Sequence, residues 1–272
     1  YLLFMDYQKL SLDIACWIKD YCSGNEIQSL VVGVSGGVDS AVASTLAAAT
    51  GVSTYALSIP IRQNQKQLSL AKIHLEWLSE KYPNVQVMEV DLTAPFESFI
   101  ASLNPEPIGK FSNLHAEANT RSRLRMTCLY HIAAIKSGIV VGTGNKIEDY
   151  GIGFYTKYGD GGVDIAPIAD LYKSEVWDLA KFFGINQSII DAPPTDGLWD
   201  DSRTDEDQIG ASYKDLEWVM KIGLKKYESN KSSLAAKEIK LIEKYLDFNF
   251  KNSHKMKNIP IYKNKGAFKE KD

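Results

Sequence analysis

The sequence predicts an α/β fold: a doubly wound, mostly parallel sheet of five strands flanked by helices, with a helical C-terminal segment. Three observations predict it. Short apolar, β-branched runs alternate along the chain with stretches of helical periodicity, the pattern of repeated right-handed crossovers. Leu30-Val31-Val32 runs into a glycine turn made of Gly33, Val34, Ser35, Gly36, Gly37, Val38, Asp39 and Ser40, and then into a small-residue helix from Ala41 to Ala49. Ile139-Val140-Val141 also ends in glycine and opens the polar loop Gly142-Thr143-Gly144-Asn145-Lys146. Both loops fall at the carboxyl edge of the strands, where open parallel sheets bind ligands.

Taken in order, residues 8–22 place Leu10, Ile14, Trp17 and Ile18 on one face and predict a peripheral amphipathic helix. The first strand, glycine turn and helix follow. Val52 to Ile59 is β-branched and apolar, a second strand ended by Pro60. Residues 65–81 carry Leu68, Leu70, Ile73, Trp77 and Leu78 at helical spacing, and Val85 to Val90 alternates as a third strand. Pro105 and Pro107 break the next stretch, which is expected to be a loop. A long helix is predicted over 113–136, and the fourth strand over 139–142. A fifth is expected between Val163 and Leu171, around Pro167. Residues 173–184 read as a helix ended by Gly184. Residues 191–210, rich in Asp, Pro, Gly and Thr, read as a lid or disordered loop, with helices expected at 212–222 and 232–247 and an aperiodic lysine-bearing tail after Asn252. The expectation is one domain: core sheet about 27–190, mobile loop about 191–210, helices and tail 211–272.

Composition narrows the classes. A net charge of −3 provides no global field for nucleic acid, although lysines concentrate near the C-terminus. Cys16, Cys22 and Cys128 are odd in number and lack a Cys-x-x-Cys spacing, so neither a disulfide framework nor a zinc site is expected. No run is long and apolar enough for a membrane span, and the first residues lack the pattern of a signal peptide.

The chemistry starts at the glycine turn. Strand, glycines and helix N-terminus aim backbone N–H groups at an anion. There is no Gly-Lys-Ser/Thr ending, so it is not a Walker-A loop; Asp39 stands there instead. A carboxylate beside phosphates calls for an intervening cation, and Mg²⁺ suits oxygen ligands. A capped strand-to-helix turn is the plainer reading of the same residues. Glu148, beyond the fourth strand, either reaches the same cation or is a surface glutamate. Arg121 and Arg125, four apart, share a helix face while Arg123 points elsewhere; they bind phosphate or form a solvated basic face. The stretch from Phe154 to Asp164 combines glycines, two tyrosines, Lys157 and Asp164, which flank a ring or form a core-packed turn.

Together these stretches resemble the NAD synthetase family, ammonia-dependent ligases of the N-type ATP-pyrophosphatase superfamily with an adenine nucleotide alpha hydrolase-like fold. The resemblance rests on Gly33 to Ser40, Thr120-Arg121-Ser122-Arg123, Gly142-Thr143 with Glu148, Phe154 to Asp164, Lys173, Pro194 to Trp199 and Thr204 to Asp207. It implies ATP-dependent amidation of deamido-NAD⁺ by ammonia, giving NAD⁺, AMP and pyrophosphate through an NAD-adenylate, with Mg²⁺, in a cytoplasmic homodimer whose dinucleotide site spans the interface. It implies loops near 80–110 and 191–210 that order on binding. Carried over by position, Gly33 to Ser40, Thr143, Lys173 and Thr195 would bind ATP, and Asp39 and Glu148 the metal. Arg121, Lys157, Asp164, His254 and Lys255 would bind deamido-NAD⁺. Asp39, Glu148, Lys173 and Asp164 form the implied catalytic set. The chain has no room for the glutaminase domain of longer members, so free ammonia is the expected donor. Gly144-Asn145 departs from the Asp-His of many relatives, and Val38 from the Gln of some. Other readings are a GMP synthetase-like, asparagine synthetase-like or tRNA-modifying enzyme, a non-catalytic nucleotide sensor, or a nucleic-acid binder using the C-terminal lysines.

Overall fold

The computed structural model describes residues 5–103, 110–195 and 204–263. Its elements are α1 (Tyr7–Gly24), β1 (Ser29–Gly33), α2 (Val38–Ala49), β2 (Ser53–Ser58), α3 (Gln65–Lys81), β3 (Val85–Glu89), α4 (Thr93–Leu103), α5 (Lys110–Ile135) and β4 (Gly138–Val141). A π-helix, Lys146–Ile152, follows, then α6 (Lys173–Phe183), α7 (Gln187–Ile190), α8 (Asp205–Ile209) and α9 (Tyr213–Trp218). A second π-turn, Val219–Gly223, leads into α10 (Leu224–Asn230), and α11 (Ala236–Met256) closes the fold.

Among the described residues the sheet is parallel, in the order β3-β2-β1-β4. Alternate residues of each strand face opposite layers. Leu30, Val32, Ala56, Ile139 and Val141 pack beneath α1, α2, α3 and α6; Val31, Tyr55, Leu57 and Val140 pack against α5. The helices therefore wind over both faces, as the alternation of elements predicts. A third apolar cluster joins Ile147 and Ile152 of the π-helix to Tyr213, Leu216, Val219, Ile242 and Tyr245, and fixes the C-terminal helices to the sheet edge. Among the described residues no helix is long and apolar enough to cross a membrane.

Several expectations are corrected. The fifth strand is absent: only Ile165 bridges to Val141. Pro167 has no N–H to donate, and the Asp164 carboxylate takes the N–H of Val140 (2.7 Å) that a strand carbonyl would otherwise accept. Part of the stretch expected to be a loop is α4, whose Phe96 is fully buried; Pro105 and Pro107 lie outside the described residues. The end of the expected lid is α8, capped by Thr204 and Asp207, while residues 196–203 lie outside the described residues. Residues 253–256 belong to α11 rather than to an aperiodic tail. In α1 the buried stripe is Ser11, Ala15, Ile18 and Cys22, which leaves Trp17 exposed and paired with Tyr21.

Candidate active site

Four segments converge at the carboxyl edge of the sheet. The glycine turn is the first. Gly36 takes φ +91°, and a Cβ there would stand 2.6 Å from the Gln67 carbonyl, so the turn requires glycine. Its hydroxyls bond within the loop: Ser40 Oγ donates to the Gly37 carbonyl (2.9 Å), and Ser35 N–H donates to Ser40 Oγ (3.2 Å). Asp39 follows in the first turn of α2.

The second segment is Gly142 to Glu148. Asn145 caps the π-helix: its Oδ1 accepts from the N–H groups of Ile147 (3.0 Å) and Glu148 (3.1 Å). Its Nδ2 donates to Asp39 Oδ1 (3.3 Å), so one buried amide joins the two loops. Gly144 leaves the room that Asp149 occupies, since a Cβ at 144 would fall 1.8 Å from that carboxylate. The Gly144-Asn145 departure is thus accommodated within the loop itself.

The third segment brings Lys173. It opens α6 on the same buried stripe as Val176 and Ala180, and it is only 1% exposed. Its Nζ donates to Asp39 Oδ2 (2.5 Å) and Glu148 Oε1 (2.8 Å). Tyr213 OH donates to the same Glu148 oxygen (2.5 Å), and the Lys173 ammonium lies over the Tyr213 ring, 4.7 Å from its centroid. The cation between Asp39 and Glu148 in this structure is therefore an ammonium group.

Burial opposes the charge on Lys173, but the two carboxylates outweigh it and hold its pKa above the usual lysine range. For Glu148 burial also disfavours the charged form, yet Lys173 and the Tyr213 hydroxyl hold its pKa below the ordinary glutamate value. Asp39 is raised, chiefly by burial, which Lys173 offsets only in part. Burial, reinforced by Glu148, also raises Tyr213.

The fourth segment is the glycine-rich turn after the π-helix. Ser122 of α5 donates to Asp160 (2.6 Å), which also accepts the Thr156 N–H (3.0 Å). These bonds pin the turn to α5. Burial raises the Asp160 carboxyl.

The four segments enclose a cavity of about 770 Å³. Its lining includes Gly33 to Ser40, Thr143, Glu148, Lys173 and Thr195, together with Tyr155, Lys157, His254 and Lys255. Lys255 is not a free cation: its Nζ donates to the carbonyls of Gly153 and Tyr155. The exposed His254 contributes its carbonyl to Lys157 Nζ (3.3 Å).

The NAD synthase family model matches residues 11–259. The chain belongs to the NAD synthase family. An NH(3)-dependent NAD(+) synthetase of Carboxydothermus hydrogenoformans is 36% identical over 220 residues, covering 80% of this chain and 87% of the relative. Among solved structures, the NMN synthetase of Francisella tularensis superposes with a TM-score of 0.81 at 30% identity, covering 96% of this chain and all of that one. The NH3-dependent NAD synthetase of Campylobacter jejuni gives a TM-score of 0.72 at 27% identity, covering 95% of this chain and 100% of that one.

In this NAD synthase family member, two expected residues stand away from the cavity wall. Asp164 is exposed; it accepts from Val140 N–H and from Tyr130 OH (3.1 Å), so its carboxylate serves the sheet. Arg121 is buried within α5 and does not line the cavity. The helix presents Arg123 and Arg125 to the cavity instead. Arg125 donates to the Ile59 carbonyl (2.9 Å) and to Gln63 (2.7 Å), and burial, with Arg121 nearby, lowers its pKa to about 10. Sequence reasoning missed Tyr213, Asn145 and Asp160. An Asn directly before a helical run is a recognisable cap. Tyr213 carried no local signal, because only folding of the C-terminal helices brings it to Glu148.

Proposed function

We propose that the chain amidates a nicotinate nucleotide with ammonia at the expense of ATP, releasing AMP and pyrophosphate. The observation that carries this reading is Lys173. Its ammonium is held by Asp39 and Glu148 beside a glycine turn suited to phosphates, in a cavity that continues to Lys157 and Lys255. The family match over 11–259 favours this reading over sister superfamily enzymes and over a sensor.

In the proposed reaction the ATP phosphates lie on Gly33 to Ser40 and Thr143, with Thr195 also contributing from the cavity lining. A nicotinate carboxylate oxygen attacks the α-phosphorus, and pyrophosphate leaves with the electron pair of the broken P–O bond. Lys173 neutralises charge as it develops on the phosphate oxygens. Ammonia then attacks the activated carbonyl and loses a proton, and AMP leaves with the former carboxylate oxygen. No enzyme nucleophile is required; the protein's work is positioning. Lys157, His254 and Lys255 are assigned to the acceptor, with Arg123 and Arg125 in place of Arg121 and Asp164.

Two carboxylates from separate loops that already share one cation suit Mg²⁺. Among the described residues no three acidic, His or Cys side chains converge, so phosphate oxygens would complete its ligands. Asp39 and Glu148 would hold the ion, and when bound it supplies charge neutralisation at the phosphates. The cytoplasmic homodimer implied by the resemblance belongs to this proposal; the three free cysteines accord with a reducing compartment.

The likeness to an NMN synthetase favours a second acceptor, nicotinate mononucleotide. The two readings separate in one assay: the chain with ATP, Mg²⁺ and ammonium, given deamido-NAD⁺ or nicotinate mononucleotide, with amide product, AMP and pyrophosphate measured. Amidation of either acceptor supports the proposal, and the larger kcat/KM names the substrate. Amidation of neither by folded protein overturns it.

A further inference from the structure

We propose that Asn249 and Asn252 are positioning residues: two amides on the last helix that fix the backbone of the segment carrying Glu148 at one end and Lys157 at the other. The proposal deepens the reading above and rests on it for its catalytic consequence.

The π-helix Lys146–Ile152 ends, as every helix does, on carbonyls without partners further along. Here several of them have donors from outside the helix. The Glu148 carbonyl accepts from the N–H groups of Gly153 and Phe154, closing the turn. The next donors all come from α11. Asn249 Nδ2 donates to the Gly151 carbonyl (2.7 Å), Asn252 Nδ2 to that of Ile152 (2.9 Å), and Lys255 Nζ to those of Gly153 and Tyr155. Positions 249, 252 and 255 are three apart, so the donors form one stripe on the helix. The contact is tied from the other side as well, because Lys157 donates to the His254 carbonyl (3.3 Å).

Docking of α11 does not need these amides. Ile242 and Tyr245, earlier on the helix, are buried in the C-terminal apolar cluster and supply that contact. The amides act on a different object: an irregular backbone of glycine and π-helix that carries Glu148, bonded to Lys173, and leads to Tyr155 and Lys157 on the cavity wall. Its carbonyls at Gly151, Ile152, Gly153 and Tyr155 take these bonds from side chains of α11. Donors at the Gly151, Ile152, Gly153 and Tyr155 carbonyls restrict the backbone path, so the last helix sets the acceptor end of the cavity, while the phosphate loop leads into α2 and meets the segment at its Glu148 end through Asn145 and Lys173.

The test uses the full chain with Asn249→Leu and Asn252→Leu together, which removes both donors with little change in volume. Backbone hydrogen exchange at residues 153–157 is expected to become about tenfold faster, the consequence of losing one or two hydrogen bonds, while exchange at residues 33–40 stays as in the wild type. The acceptor KM rises by about the same factor, ATP affinity stays within about twofold, and Asn249→Gln with Asn252→Gln, which keeps the donors, restores most of the loss. Should the double Leu variant not fold, Asn249→Ala alone is read by the same two measurements and moves them in the same direction. Unchanged exchange at 153–157, acceptor and ATP affinities falling together, or Gln variants no better than Leu would each overturn the proposal. If the wild type amidates neither acceptor, the functional reading fails by itself, and the exchange measurement still decides whether the two amides hold the segment.

Discussion

Lys173 is a fully buried cation whose partners come from two loops distant in the chain, Asp39 and Glu148. Burial of a charge is tolerated only when it is paired and hydrogen-bonded, and each contact here is short. Replacing Lys173 with Met leaves two buried carboxylates facing each other. The account expects Lys173→Met to cost roughly 3–5 kcal/mol of stability, with part of it regained on adding Asp39→Asn, as thermal melting would record. Turnover falls by about 10²-fold or more in Lys173→Met and in Glu148→Gln, since both remove charge from the phosphate end of the cavity. Activity near wild type in either variant would remove that residue from the reaction.

At the scale of elements, α2 and α3 are joined by a buried polar contact between Ser44 Oγ and His74 Nε2 (2.9 Å). Burial lowers the His74 pKa from 6.5 to about 4, so the folded protein keeps the ring neutral. The unfolded chain takes up a proton that the folded chain refuses between those two values. Stability from this site is therefore full above pH 6.5 and falls as the pH drops toward about 4, with a slope of at most about 1.4 kcal/mol per pH unit. Urea midpoints at pH 7 and pH 5 would show a smaller difference in His74→Asn than in the wild type; an equal difference would assign the acid sensitivity elsewhere.

The same elements show what the sequence made legible. The strand–turn–helix at 30–49 could be read residue by residue, because glycines, β-branched residues and small helix formers each have a local backbone reason to be there. Helix α3 follows its apolar spacing over 65–81. Failures arose where tertiary partners override local pattern. Asp164 replaces strand hydrogen bonding with its carboxylate, so an apolar run around Pro167 makes one bridge and no strand. Trp17 lies beside the buried stripe of α1, a difference of one helical position that hydrophobicity alone cannot decide. At the site, Asp39, Glu148 and Lys173 were nameable from loop position and resemblance. That Lys173 lies between the other two depends on packing of α6 against α2, and that Tyr213 completes the group depends on packing of the C-terminal helices.

At the scale of the whole molecule, one cavity joins two different problems. Its proposed phosphate end is built on the sheet, where a glycine turn meets a buried ion cluster. The other end is built on irregular backbone held between α5 and α11, by Ser122 and Asp160 on one side and by the Asn249–Lys255 stripe on the other. A proposed ATP end built on the sheet and a proposed acceptor end braced from α5 and α11 suit a reaction in which the enzyme contributes no bond of its own and must align two bound molecules. The alignment itself can be tested with nicotinate nucleotide carrying ¹⁸O in its carboxylate, incubated with ATP, Mg²⁺ and ammonium. The account predicts that one labelled oxygen appears in AMP for each amide formed and that pyrophosphate stays unlabelled. Amide formation with unlabelled AMP, or with ADP and labelled phosphate, would contradict attack at the α-phosphorus.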